Sequence, residues 1–162
     1  STTSPFSLTS QAFSNGSPIP FEYACTSLGG SNLSPHLSWI NPPSGTQSYA
    51  LVMDDEDSPC GTGDNACRHW AVFNIPANVT EFAKAQDMTA IPGVTEGVNW
   101  EGMTGYTGPC PPNQHNYTFT VYALSTGMPV ISQATPMTRS QFESAYKAYI
   151  IESATLQGFF TP

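Results

Sequence analysis

The sequence predicts a mainly β protein, a sandwich of strands with one or two helices packed against it. Short runs of β-branched and aromatic residues alternate with turn signals, the 162 residues include 13 Gly and 15 Pro, and only one segment has clear helical periodicity. Because 39% of the residues are hydrophobic and 12% aromatic, the chain can bury a core. It has no repeats and no low-complexity linker, so we expect residues 1–162 to form a single domain.

Five runs are predicted to be strands: residues 6–8, 37–40, 49–53, 70–75 and 117–124. In the last run, Tyr117, Phe119 and Val121 alternate with threonines, which is the period of a strand. The runs at 49–53 and 70–75 are almost continuously apolar, as expected of central strands covered on both faces.

One helix is predicted near the C-terminus. Thr138 followed three residues later by Gln141 is a capping-box pattern, and Gly158 is a suitable helix terminator. Six apolar residues between them are spaced for one helical face: Phe142, Ala145, Tyr146, Tyr149, Ile150 and Leu156. A second, shorter helix is predicted around residues 80–87.

The charge balance excludes two classes of partner. The chain has 4 Lys and Arg against 12 Asp and Glu, a net charge of −8. Nucleic-acid binding depends on clustered cations, and so does binding to anionic lipid surfaces, so we expect neither. No apolar run approaches the roughly 18 residues of a membrane span, so we expect no stable membrane insertion. An anion bound by this chain must be held with few fixed positive charges.

The four cysteines indicate an oxidising compartment, and we expect a periplasmic or secreted protein. Cys60 and Cys67 bracket a flexible loop that could close into a disulfide, and Cys25 with Cys110 would then be the second pair. A zinc site is one alternative, although no C-x-x-C pair is present, and buried free thiols are another, for Cys25 and Cys110 above all. Residues 1–5 lack an initiator Met and are typical of a processed terminus.

Three polar clusters border the predicted strands. The first, residues 54–59, places four acids directly after the run at 49–53, and the second is Arg68-His69 before the run at 70–75. The third is a proline-rich segment that ends at His115 and Tyr117, which share a face if the strand has begun there. Taken singly, each cluster is more typical of a turn or a structural contact than of a site.

Together the clusters belong to an ordered set of motifs. These are Ser-Pro-His-Leu-Ser-Trp at 34–39, Asp-Glu-Asp-Ser-Pro at 55–59, His-Trp at 69–70, Asn-Ile-Pro at 74–76, Gly-Pro-Cys-Pro-Pro at 108–112 and His-Asn-Tyr at 115–117. In order and spacing this set resembles the phosphatidylethanolamine-binding protein (PEBP) family, in its bacterial Raf-kinase-inhibitor-like branch. Within the pattern Glu56 replaces a proline, Asn116 replaces an arginine, and Cys60 and Cys67 are additions.

The resemblance implies a PEBP-like β-sandwich with a large and a small antiparallel sheet, a C-terminal helix and a small anion pocket at one end. Carried over residue by residue, the pocket consists of Asp55, Asp57, Pro59, His69, Tyr106, Gly108, Pro109, Pro111, His115 and Tyr117. The ligand implied is a phosphate-type anion or a phosphoryl head group, with no cofactor, and the implied partner is a kinase or a protease.

We therefore expect a non-enzymatic ligand-binding protein that modulates or inhibits partner proteins. One alternative is a secreted protease inhibitor that acts through a surface loop. Another is a phosphoester hydrolase, with Asp55, His69 and His115 as possible metal ligands, although no G-x-S-x-G nucleophile motif is present. Since the implied pocket has no Lys or Arg, its histidines would supply the positive charge, and anion affinity should rise as the pH falls through their titration range.

Overall fold

The computed structural model describes residues 4–132 and 135–162 and is built from two β-sheets. In chain order the elements are β1 (Ser7–Thr9), β2 (Ser17–Pro18), β3 (Leu37–Ile40), β4 (Ser48–Asp55), β5 (Cys67–Pro76), β6 (Glu81–Phe82), β7 (Thr95–Glu96), β8 (His115–Leu124), α1 (Arg139–Tyr146) and β9 (Ile150–Phe160). The small sheet has the order β1-β3-β6 and the large one β2-β9-β8-β4-β5-β7. Neighbouring strands are antiparallel except β2 and β9, which run parallel.

Both faces of the large sheet are covered, and β4 shows why its apolar run is continuous. Leu51 and Met53 point into the core between the two sheets, whereas Ala50 and Val52 point into a second core that contains Phe142 of α1. Side chains alternate along a strand, so a strand with a buried layer on each side needs apolar residues at every position. The prediction of a central strand covered on both faces is confirmed for this run.

All five predicted strands are present, four of them with shifted ends. The run at 6–8 forms β1 one residue later, 37–40 forms β3, and the other three are longer than predicted at one or both ends. The extended ends of β4, β5 and β8 carry Asp55, His69 and His115, whose polarity masks the strand signal in the sequence.

The C-terminal helix is shorter than predicted. The capping box of Thr138 and Gln141 is confirmed, but α1 ends at Tyr146 and a 3₁₀ turn follows it. The prediction that the helix continues to Gly158 is wrong, because Ile150–Phe160 forms β9 along β8. No helix in the described ranges is long and apolar enough to cross a membrane.

Gly158 has a packing role in β9 in place of the predicted role as a helix terminator. A Cβ at this position would lie 2.7 Å from side-chain atoms of Ile19 and Phe13. The buried residues of β9 alternate toward the core between the sheets, which is the period of a strand.

The helix predicted around residues 80–87 is also absent from the structure. Glu81–Phe82 is β6, which pairs with β3, and Phe82 is fully buried against Trp39. Ala85 has a φ of 54°, which is incompatible with a continuing right-handed helix. The backbone hydrogen bonds that β3 offers outweigh the local helical preference of this segment.

Candidate functional site

A cavity of about 160 Å³ lies at one end of the large sheet, where the end of β4 meets the beginnings of β5 and β8. A water molecule occupies about 30 Å³ in the liquid, so the cavity has space for a group as large as a phosphate. Its walls are formed by Asp55, Pro59, Cys60, Cys67, His69, Trp100, Cys110, Pro111, Pro112, His115 and Tyr117.

The strand register brings three distant parts of the chain to this point. Met53 pairs with Phe119 of β8, so Asp55, two residues later in β4, lies on the same face as Tyr117. On the other side of β4, Met53 pairs with Trp70 while Asp54 pairs with Arg68. This register shift is a bulge, and such bulges re-aim side chains next to sites. It directs both Trp70 and its neighbour in β5, His69, toward the same side of the sheet.

The most buried polar contact in the cavity joins Asp55 and His115. The distance from Asp55 Oδ2 to His115 Nδ1 is 2.6 Å, and each side chain is only 2% exposed. The other carboxylate oxygen of Asp55 accepts from the backbone N–H of Asp57 at 2.8 Å. Both oxygens are thus engaged, and the carboxylate fixes the orientation of the imidazole ring.

His69 is held in the same manner by a neutral partner. The distance from His69 Nδ1 to the carbonyl oxygen of Thr107 is 2.7 Å, and the ring is 3% exposed. Burial lowers the pKa of His69 below its ordinary value of 6.5, although Thr107 and the charge of Asp55 oppose the shift. The Tyr117 ring packs against the His69 ring with a centroid separation of 5.1 Å and an interplanar angle of 88°.

Tyr117 supplies a hydroxyl group and Trp100 an apolar surface. Burial and the charges of Asp55 and Asp57 raise the pKa of Tyr117, so its hydroxyl stays protonated and can donate a hydrogen bond. Trp100 is 48% exposed and its ring lies 6.4 Å from that of His69, at the edge of the cavity.

Asp57 does not line the cavity, contrary to the position carried over from the resemblance. Its Oδ2 accepts from the backbone N–H of Asn116 at 2.6 Å. The carboxylate therefore fastens the loop after β4 to the beginning of β8. Pro59, which follows a cis peptide bond after Ser58, does line the cavity as expected.

Three further residues from the predicted pocket lie behind its wall: Tyr106, Gly108 and Pro109. The Tyr106 hydroxyl donates to the backbone carbonyl of Tyr23 at 2.7 Å, so it is turned into the protein. The N–H of Gly108 donates to the Asn32 side chain at 2.7 Å, and the carbonyl of Pro109 accepts from Cys25 at 2.9 Å. These residues attach the proline-rich segment to the residues around position 24.

Both disulfides border the cavity. Cys25 is bonded to Cys110, and Cys60 to Cys67. Cys60, Cys67 and Cys110 lie in the cavity wall, so the bridges hold two of its sides. The alternative of buried free thiols does not apply, since all four cysteines form disulfides.

The described residues do not support the metal-site alternatives. Asp55, Cys60 and His115 bring one potential ligand atom each within 4.8 Å of one another. Cys60, however, is bonded to Cys67 and offers no thiolate, and zinc sites take at least three protein ligands. His69 does not belong to this group, so the predicted triad of Asp55, His69 and His115 does not form a compact ligand set.

Arg139, the first residue of α1, binds the end of β4 and the loop after it, a contact that the sequence did not indicate. Arg139 donates from its Nε to Asp54 at 2.7 Å and from its Nη2 to Glu56 at 2.7 Å. Glu56 in turn accepts from the N–H of Gly63 at 2.7 Å. Arg139 and Asp54 are 85 residues apart, which is why no local motif shows the contact.

The pKa of His69 has a consequence for stability. Because burial lowers this pKa in the folded protein, the unfolded chain binds the proton more readily. We expect the free energy of unfolding to fall as the pH drops below about 6.5, by at most about 1.4 kcal/mol per pH unit from this group. Urea unfolding of wild type and His69→Gln at several pH values measures the difference. A control variant, His36→Gln, should retain this component, and an unchanged pH dependence in His69→Gln would contradict the expectation.

The chain resembles known proteins over nearly its full length. The family model described as phosphatidylethanolamine-binding protein matches residues 9–161. A UPF0098 protein of Chlamydia pneumoniae is 37% identical over 155 residues, which cover 94% of this chain and 97% of the relative. A UPF0098 protein of Methanothermobacter thermautotrophicus is 35% identical over 156 residues, with the same coverage of 94% and 97%.

Two solved structures share the fold. Escherichia coli YbcL, described as a new member of the mammalian PEBP family, has a TM-score of 0.83 and 30% identity over 97% of this chain and 98% of its own. A PEBP homologue from Chlamydia trachomatis has a TM-score of 0.80 and 33% identity over 97% of both chains. The predicted fold, a mainly β sandwich with a large and a small sheet and a C-terminal helix, is confirmed. The family match, the relatives and the shared fold agree, and the chain belongs to the phosphatidylethanolamine-binding protein family.

Proposed function

We propose that this protein is a non-enzymatic binding protein whose cavity takes a phosphate-type anion, either inorganic phosphate or a phosphoryl group of a larger molecule. The observation that carries the proposal is the buried His115 ring, held at Nδ1 by Asp55 in a cavity that it shares with His69 and Tyr117. A rigid cluster of two imidazoles and a phenol in a small cavity is suited to an oxyanion.

The acidity of the chain is compatible with this ligand. No Lys or Arg lines the cavity, so its donors are neutral or titratable groups. Both oxygens of the Asp55 carboxylate already accept hydrogen bonds within the protein. Its negative charge is thus directed at His115 and the loop, and it orients the ring that would contact the anion.

The lining residues favour binding over turnover. The three cysteines in the wall are oxidised, so none is a thiolate nucleophile, and no serine or threonine among the described residues lines the cavity. We therefore place this chain with the binding proteins of its family.

The phosphoryl group or acidic side chain of a kinase or a protease is the partner group that such a cavity would take. The two disulfides favour a periplasmic or secreted location.

Isothermal titration calorimetry with inorganic phosphate tests the proposal. We expect wild type to bind one phosphate and His115→Gln to bind it at least about tenfold more weakly, because a hydrogen bond to a charged group contributes about 1.5–3 kcal/mol. His36→Gln is the matched control, since His36 lies on the small-sheet side, bonded to Glu81, and should leave affinity unchanged. Equal affinity of wild type and His115→Gln would contradict the site. Hydrolysis of a phosphomonoester by wild type and not by His69→Gln would contradict the non-enzymatic assignment.

A further inference from the structure

We propose that the cavity selects oxyanions that carry an acid hydrogen, such as hydrogen phosphate and monoprotonated phosphomonoesters, over sulfate and phosphodiesters, which carry none. The inference rests on the proposed function and deepens it by naming the ligand class. It follows from one shared arrangement of the two histidines. Each is fastened at Nδ1 by an acceptor of the protein, so each has only Nε2 left for a ligand.

His69 shows directly that Nδ1 carries the hydrogen and that Nε2 is left for a ligand. The partner of His69 Nδ1 is the backbone carbonyl of Thr107, which can only accept, so Nδ1 carries the hydrogen. In the neutral ring Nε2 then carries a lone pair and no hydrogen. This Nε2 makes no hydrogen bond to any described residue. Burial lowers the pKa of His69 and favours this neutral form. The charged or titratable groups that act on the ring are Asp55, Glu101 and His115, and Tyr117 packs against it.

His115 repeats the arrangement with a carboxylate. Asp55 Oδ2 accepts at 2.6 Å, so Nδ1 again carries a hydrogen and a neutral ring again has its lone pair at Nε2. The one hydrogen-bond partner of Nε2 among the described residues is the Asn113 side chain, whose amide oxygen lies 3.2 Å away. Asn113 is exposed, and its amide can present either its oxygen or its NH₂ group, so a ligand can replace it.

When both rings are neutral, a ligand in this cavity therefore meets two acceptors, His69 Nε2 and His115 Nε2, beside the Tyr117 donor. Hydrogen phosphate has both a hydrogen to give to an imidazole and oxygens to accept from Tyr117. Sulfate has the same size but no hydrogen, so its oxygens would face lone pairs until a histidine took up a proton. Sites with buried polar groups reject analogues that leave those groups unpaired, and we expect at least about tenfold discrimination here.

Calorimetry with four probes tests the inference at about pH 6, where a phosphomonoester is partly monoprotonated. The probes are inorganic phosphate, sulfate, methyl phosphate and dimethyl phosphate. We expect inorganic phosphate to bind at least about tenfold more tightly than sulfate, and methyl phosphate more tightly than dimethyl phosphate. On lowering the pH further, protonation of His69 should strengthen sulfate binding and bring the phosphate-to-sulfate affinity ratio closer to one.

The His69→Gln variant assigns the effect to one acceptor. A glutamine amide can turn its NH₂ group toward sulfate, so the phosphate-to-sulfate ratio should fall toward one, while His36→Gln keeps the wild-type ratio. If His69→Gln does not fold, the phosphate-to-sulfate affinity ratio of the wild type and its change with pH test the inference. Phosphate and sulfate of equal affinity at about pH 6 would overturn the inference and leave the proposed anion site standing. Binding of neither anion would overturn both.

Discussion

Replacing Cys25 and Cys110 together by serine is expected to lower the free energy of unfolding by about 4–5 kcal/mol. The bridge joins residues 85 positions apart, and the entropy that a cross-link removes from the unfolded chain grows with the length of the closed loop. Cys25 also donates its backbone N–H to Pro109, so the bridge and a hydrogen bond fasten the same two segments. A loss of this size is a large part of the stability of an ordinary domain.

The second disulfide is the matched control. Cys60 and Cys67 are 7 residues apart, so replacing both by serine should cost about 2 kcal/mol in the same model. Urea unfolding of the two double variants under non-reducing conditions measures both losses. Equal losses, or a larger one for the short loop, would show that chain entropy does not dominate. Because Cys60 and Cys67 line the cavity, their replacement should weaken phosphate binding more than its small stability cost suggests.

Gly108→Ala is the single substitution from which we expect the largest effect. A Cβ there would overlap the carbonyl oxygen of Tyr23 and come within 3.0 Å of its carbonyl carbon. These are backbone atoms held by their own contacts, including the hydrogen bond from Tyr106. One segment must move away from the other, and we expect a loss of about 3 kcal/mol in unfolding free energy together with weaker phosphate binding.

Gly93→Ala separates crowding from backbone strain. Gly93 has a φ of +84° and no heavy atom within 4 Å of an added Cβ, so alanine adds only conformational strain, about 1–2 kcal/mol. It is not among the residues that line the cavity, and phosphate affinity should be unchanged. If Gly108→Ala is no more destabilised than Gly93→Ala and binds phosphate normally, the close packing behind the cavity wall does not position the site.

The parts of the fold that the sequence predicted well are those with unambiguous periodicity. In the β8 run Tyr117, Phe119 and Val121 alternate with threonines and predict the strand, and the capping box predicts the beginning of α1. The prediction of a helix after Tyr146 is wrong because Tyr146, Tyr149 and Ile150 have the three- and four-residue spacing of a helical face. The pairing of β9 with β8 along its length, with Ala154 opposite Val121, decides for the strand, and these partners are distant in sequence.

The candidate site was also predicted only in part. Six of the ten residues carried over from the resemblance line the cavity: Asp55, Pro59, His69, Pro111, His115 and Tyr117. The other four bind neighbours that are distant in sequence, as Tyr106 does with Tyr23 and Gly108 with Asn32. A motif match shows that a residue is near a site, whereas the direction of its side chain depends on such long-range partners. The ligand-binding roles of all ten stay predictions.

The last two residues of β4, Asp54 and Asp55, bind partners on opposite sides of the large sheet. Asp54 holds Arg139 on the helix side, and Asp55 holds His115 on the cavity side. Because neighbouring side chains point in opposite directions, inserting or deleting one residue in β4 would turn each of these carboxylates to the other side of the sheet, away from its present partner. The helix would lose its anchor and the cavity would lose the group that orients His115. An insertion or deletion within β4 should therefore be tolerated far less well than one in a surface loop.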